Sequence, residues 1–200
     1  YQKETAFLSN ERYKFAAKLD KKIEKELKPL KLELAKFKTE ILRDQESRFG
    51  CDNVCFTTEI NPGSGFKPLN KIASGGELSR FLLAAKLCFF DEDSKKTQIF
   101  DEIDRGVGGA TASAIGKRLL ELSKHEQVLV VTHSPQVAAY SDNHLKVEKV
   151  NSDNSTITKV TTLNEENTVR EIARMLSGEL VSSEALAAAA KLRNTSRGIS

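Results

Sequence analysis

The sequence predicts an α/β fold, a mostly parallel sheet flanked by helices and preceded by a long amphipathic helix. Three observations predict it. The run Thr97-Gln98-Ile99-Phe100 is short and β-prone, and it ends in the adjacent carboxylates Asp101-Glu102. A second strand-like run, Gln127 to Thr132, ends in His133, and helical spacing over Thr111 to Leu122 separates the two. A strand, a helix and a strand form a right-handed crossover between parallel neighbours, which puts Asp101, Glu102 and His133 at one sheet edge. Third, Phe15, Leu19, Ile23, Leu27, Leu30 and Leu34 recur at spacings of three and four, with Lys and Glu between them.

In chain order, the first element is a helix over residues 3–28, either the end of a coiled coil or a helix packed on a domain. Pro29 lacks a donor and clashes with the preceding turn, so the helix breaks there. Ala35, Phe37, Thr39 and Ile41 alternate with Lys36, Lys38 and Glu40, the period of a half-buried strand. Val54 to Ile60 is a second strand, and Asn61-Pro62-Gly63-Ser64-Gly65 is a turn. Ser74-Gly75-Gly76-Glu77 then leads into an apolar helix, Phe81 to Phe90. Small residues at a helix start let backbone N–H groups approach a phosphate, and the dipole favours the charge. The plainer reading is Ser74 as an N-cap after a glycine loop.

Beyond the acidic strand, Ile103-Asp104-Arg105-Gly106-Val107-Gly108-Gly109 is a glycine-rich loop. Pro135 to Ala139 starts a short helix. Asp142 to Val150 and Thr156 to Thr161 pair around Asn151-Ser152-Asp153-Asn154. Helices over Val169 to Leu176 and Ser183 to Leu192 follow, the latter capped by Ser182 or Ser183, with a frayed tail over 194–200.

The chain has 200 residues and a net charge of +3. Residues 1–48 carry 13 Lys/Arg and 9 Asp/Glu, net +4, and the remainder is net −1. That asymmetry is either a solvated helical arm or a weak attraction to nucleic acid. No apolar run reaches membrane-span length and no secretory signal opens the sequence. Three cysteines suggest no disulfide framework. Cys51 and Cys55 lack a second pair for zinc, and Cys88 reads as core. A reducing, cytoplasmic setting is the expectation. Asp91-Glu92-Asp93 is not an EF-hand, because Lys96 stands where glycine is required. The chain begins with Tyr1 and its one methionine is Met175, so a piece of a longer chain is expected.

Each candidate has an ordinary alternative: a solvated strand end for Asp101-Glu102, an incidental strand-end residue for His133. Together, Ser74-Gly75-Gly76-Glu77, Asp101-Glu102, Asp104 and His133 stand in an order that resembles the carboxyl half of an ABC-type ATPase head. Three longer segments resemble the RecN family of bacterial DNA repair proteins: Lys71 to Arg80, Gly106-Val107-Gly108-Gly109, and Val131 to Ala139. Asn61-Pro62-Gly63 and Val169 to Gly178 do so too, and the likeness runs from about residue 30 to 193. That family resembles SMC proteins, whose ATPase head is built from the two chain ends joined by an antiparallel coiled coil.

The resemblance implies an arm foot over 1–34 and a head lobe over 35–193, of the ABC/SMC P-loop class. It implies an ABC signature at 74–77, a Walker B strand at 97–102, a D-loop around Asp104 and a switch histidine at 133. Asp101 would hold Mg²⁺, Glu102 would deprotonate the attacking water, and His133 would sense the γ-phosphate. Ser74, Gly75, Gly76 and Glu77 would bind ATP from the opposing head, and Asp104 would couple the two sites. The implied partners are the amino-terminal head lobe, a second head in a homodimer, and DNA, with no membrane. The implied setting is a bacterial cytoplasm, on the nucleoid, in double-strand-break repair and recombination. Ala73 departs from the leucine usual in transporter ATPases. The sequence has no phosphate-cradling Gly-x-x-x-x-Gly-Lys-Ser/Thr loop, since Gly116-Lys117 is followed by Arg118. ATP hydrolysis is therefore expected of the longer protein. The chain alone is expected to be inactive, a half-head assembly module. A transporter nucleotide-binding domain is the further alternative.

Overall fold

Helix α1 (Gln2–Leu27) is amphipathic, and Leu19, Ile23 and Leu27 of its apolar stripe are buried while Phe15 stays exposed. The computed structural model describes residues 1–72, 75–89, 96–152 and 155–198. The chain divides into two compact units, Tyr1–Lys95 and Lys96–Ser200.

In the first unit, α1 stops at Leu27, two residues before Pro29, and Lys31 turns the chain with a φ of 57°. Strand β1 (Lys36–Ser47) then pairs antiparallel with β2 (Gly50–Glu59), and β2 with the short β3 (Lys67–Pro68). The hairpin is longer than its hydrophobic pattern predicted, because its outer half is polar and exposed on β1. Helix α1 lies along it. Tyr1 Oη donates to Ser47 O at 2.9 Å, near the hairpin tip. Asp52 accepts from Ser9 (2.7 Å) and Arg12 (2.9 Å), and these bonds hold its carboxyl below the ordinary value. Asp20 accepts from both the backbone N–H (3.0 Å) and the hydroxyl (2.7 Å) of Thr39. Residues 2–27 pack on this hairpin through the buried face of the helix. Helix α2 (Gly75–Cys88) also packs on α1 and buries Phe81, Leu83 and Ala84. It begins six residues before the expected Phe81. Ala73, Ser74 and Phe90 lie outside the described residues.

In the second unit, β4 (Thr97–Asp101) and β5 (Gln127–Val131) are parallel, with Thr97 opposite Gln127 and Asp101 opposite Val131. Helix α3 (Gly109–Ser123) connects them, as the crossover rule requires. One face of the pair is covered: Phe100 is buried, as are Ile115, Leu119 and Leu122 of α3. On the other face Ile99, Leu129 and Val131 are exposed, Ile99 by 70%. The short helix α4 (Pro135–Ala138) packs on α3.

Strands β6 (His144–Ser152) and β7 (Ser155–Leu163) form an antiparallel hairpin, whose expected turn residues 153 and 154 lie outside the described residues. Helix α5 (Glu165–Ser177) begins four residues earlier than its apolar spacing suggested. Asn164 caps it, accepting from Asn167 N at 2.9 Å. Helix α6 (Ser183–Arg197) is capped by Ser182 and packs with α5 around Ile172, Ala173 and Ala189. It runs on through Arg197 to a left-handed Gly198, so the tail expected to fray at Asn194 is helical there. Arg193 in this stretch is buried and bonded to Ala139, Ser141 and Glu165.

Candidate functional site

The parallel register decides what the strand ends hold. Asp101 closes β4 opposite Val131, so Glu102 leaves the sheet beside Thr132, and His133 follows one residue on. Asp101, Glu102 and His133 are all exposed at this carboxyl edge. Glu102 N–H still donates to Val131 O at 3.1 Å, as the last rung of the ladder. The chain then turns sharply. Glu102 has a φ of 49°, a left-handed conformation that costs a residue with a Cβ about 1–2 kcal/mol. Its carbonyl accepts from Arg105 N at 3.0 Å, and its carboxylate meets the Arg105 guanidinium at 3.1 Å. Both side chains of that ion pair are largely in water, so it adds little stability. Strained non-glycine backbone persists where its surroundings over-determine it, and such places cluster at functional sites.

Asp104 is placed differently. It is buried, and its Oδ2 accepts from Thr132 Oγ1 at 2.5 Å. Thr132 Oγ1 in turn accepts from Ser134 N at 2.9 Å. Thr132 thus ties the loop after β4 to the segment after β5, across His133. Nothing in the local pattern of Val-Thr-His-Ser marked Thr132 for this role. The other Asp104 oxygen, Oδ1, is buried with no partner among the described residues.

The glycines expected to approach a phosphate lie in the first unit. Gly75 and Gly76 open α2, and a Cβ added at Gly75 would meet nothing within 4 Å. Glu77 sits in the first turn of α2, where the dipole favours its charge. Ser74 lies outside the described residues. Arg80, four residues into the helix from Gly76, is buried, and burial pushes its pKa down against the opposing charge of Glu77.

Carboxylates suit Mg²⁺, which takes one or two of them and completes its shell with water and phosphate oxygens. Asp101 and Glu102 supply such oxygens at an open edge. Among the described residues no group of three or more His, Cys, Asp or Glu gathers into a metal cage. Carboxylates at an open edge are donors of the kind a metal shared with a phosphate ligand would use. Among the described residues no helix is long and apolar enough to cross a membrane.

The chain matches the DNA repair protein RecN of Rickettsia bellii with 44% identity over 186 residues, 92% of this chain. It matches RecN of Haemophilus influenzae with 43% identity over 187 residues, again 92% of this chain. Over that matched segment, the chain belongs to the RecN family. It spans 34% of the length of either relative, about a third. No family model matches. Among solved structures, the Smc head domain with a coiled coil and joint from Pyrococcus yayanosii superposes with a TM-score of 0.55 at 19% identity. That likeness covers 80% of this chain and 29% of the other. An SMC ATPase chain from work on ATP-driven dimerization and DNA-stimulated activation gives 0.51 at 18% identity, covering 86% of this chain and 99% of that one. At such identity the likeness establishes the fold, an α/β lobe of the SMC head kind. The RecN relatives and this fold together agree with the resemblance read from the motifs.

Proposed function

We propose that this chain is the carboxyl lobe of an SMC-like ATPase head that acts in DNA double-strand-break repair and recombination. The observation that carries the proposal is the parallel register of β4 and β5. It sets Asp101, Glu102 and His133 side by side at the edge where ligands bind in open α/β sheets. The RecN relatives and the SMC-like fold support it.

Asp101 would help hold Mg²⁺ on the phosphates of ATP. When bound, the metal neutralises phosphate charge and orients the reacting group. Glu102, exposed and held by its backbone just past the strand, would accept the proton of the attacking water. His133 would bond the terminal phosphate. Gly75 and Gly76 at the start of α2, with Ser74 and Glu77, would contact ATP held by a second head. A phosphate-cradling loop would come from the amino-terminal lobe. The cycle would engage and release two heads of a homodimer, with a coiled-coil arm whose returning end is α1, on DNA in the bacterial cytoplasm.

The deciding experiment joins this chain to the amino-terminal lobe of its own longer protein. Magnesium-dependent ATP hydrolysis by the pair, absent from the chain alone, supports the reading. A pair that folds and binds ATP yet never hydrolyses it sinks the catalytic part and leaves an assembly module.

A further inference from the structure

Two chemically useful residues, Glu102 and His133, stand on separate loops. Loops move unless something holds them, and the bonds around Asp104 and Thr132 hold these two. The loop after β4 is turned by Glu102, with its φ of 49°, and closed by Arg105 N donating to Glu102 O at 3.0 Å. Two residues on, the Asp104 side chain leaves this loop and is buried. It accepts a hydrogen bond from the Thr132 hydroxyl, oxygen to oxygen 2.5 Å. That leaves Thr132 Oγ1 a lone pair, and Ser134 N–H donates to it at 2.9 Å. Ser134 is also the N-cap residue of α4, and its carbonyl accepts from Ala138 N at 3.0 Å. His133 is therefore clamped on both sides, by a neighbour bonded to the Glu102 loop and by a neighbour bonded to that same hydroxyl.

The direction of the bonds matters. A threonine hydroxyl has one proton and two lone pairs. Here the proton goes to a carboxylate, an arrangement shorter and stronger than a neutral pair. The arrangement is buried on the Asp104 side, where an unmade bond is costly, so the two loops stay joined.

We propose that Thr132 and Asp104 are positioning residues, a buried latch that fixes the Glu102 and His133 loops relative to each other. The inference rests on the ATPase reading of that edge, which supplies the reason for fixing them. It gives Asp104 a role inside its own lobe, in addition to any contact across a head interface.

The test uses Thr132→Val, which keeps the shape and removes the hydroxyl, and Thr132→Ser, which keeps the hydroxyl. Amide hydrogen exchange in this chain reads the latch directly. Ser134 and Arg105 amides should exchange at least about tenfold faster in Thr132→Val, with Ser restoring protection, while α5 and α6 amides stay unchanged. In the protein joined to its amino-terminal lobe, Thr132→Val should lower kcat for ATP about tenfold to a hundredfold with KM nearly unchanged, and Ser should rescue it. Unchanged exchange overturns the latch. Faster exchange with an unchanged kcat in an active joined protein overturns its positioning role. A joined wild type with no ATPase activity defeats the ATPase reading, and with it the positioning role, whatever the exchange shows.

Discussion

The ring of Tyr140 occupies the space that a Cβ on Gly116 would need. Its Cε2 and Cγ lie 3.0 and 3.1 Å from that position, inside normal contact, and its hydroxyl bonds Ser113 Oγ at 3.0 Å. Gly116 is thus a packing residue that lets the end of α4 close on α3. Gly116→Ala should gain up to about 1 kcal/mol of helix propensity and lose about 1–3 kcal/mol to overpacking. A net loss of about 1–2 kcal/mol is expected in denaturant unfolding. Pairing it with Tyr140→Ala should make the two costs non-additive, since one contact accounts for both.

Arg193 is the second such residue. It is buried, donating to Ala139 O at 2.9 Å and Ser141 O at 2.5 Å, while Nε and Nη2 reach Glu165 at 3.0 Å each. Arg193→Met keeps the apolar stem and leaves two carbonyls short of a donor. Each orphaned buried group costs about 1–3 kcal/mol, so a loss of about 2–4 kcal/mol is expected. Glu165 is largely in water and adds little to that figure. Thermal unfolding should show the drop, and Glu165→Gln should cost much less.

Acid should weaken the second unit in two stages. Burial lowers the pKa of His144 below its ordinary 6.5, against the pull of Glu171. Hydrogen bonds from Arg193 lower Glu165 below 4.5. Burial works to raise Glu171, but Arg174 and Lys146 outweigh it and its value is lowered too. In all three the unfolded chain binds the proton more readily, so stability is complete above the unfolded values and falls with pH. Melting temperatures should begin to drop below about pH 6.5 and again below about pH 4.5. His144→Gln should remove the first step, and a curve flat from pH 7 to 5 in the wild type would count against it.

Glu102 allows stability and chemistry to be separated. Glu102→Gly relieves about 1–2 kcal/mol of left-handed strain but frees the unfolded chain by about 0.4–1 kcal/mol. Stability should rise by about 0–1.6 kcal/mol. In the joined protein, Glu102→Gly and Glu102→Gln should both lower ATP turnover by about 10²- to 10⁴-fold, with nucleotide binding retained in the Gln variant. Asp101→Asn should weaken nucleotide binding as well. Turnover near wild type in Glu102→Gln would falsify its assignment as the base.

The open face of β4 and β5 should make the isolated chain sticky. Ile99, Leu129 and Val131 line it, and exposed apolar patches favour association. Sedimentation should show concentration-dependent self-association, reduced by Ile99→Ser or by joining the proposed amino-terminal lobe. A strict monomer at all concentrations would contradict this.

The sheet edge was legible in the sequence because it needs only local signals. A strand-like run, a helical spacing and a second run place Asp101, Glu102 and His133 together through one handedness rule. Residues whose partners are remote were not legible. Thr132 and Asp104 stand 28 residues apart in sequence and Arg193 and Ala139 stand 54 apart, and no periodicity encodes either bond. Gly116 was noticed only as a failed phosphate loop, since a tyrosine 24 positions on gives no local sign. The long helix had two readings because an apolar stripe does not say whether a second helix or a hairpin will cover it.

That hairpin gives α1 a mechanical character. At about 1.5 Å per residue, its 26 residues make a rod about 39 Å long. It is fastened at its start by Tyr1, midway by Arg12 and near its far end by Asp20, and it also rests on α2. A rod bonded to a plate at three stations bends far less than either alone. A pull at Tyr1 therefore meets bonds to Ser47, Asp52 and Thr39 of the hairpin as well as the helix itself.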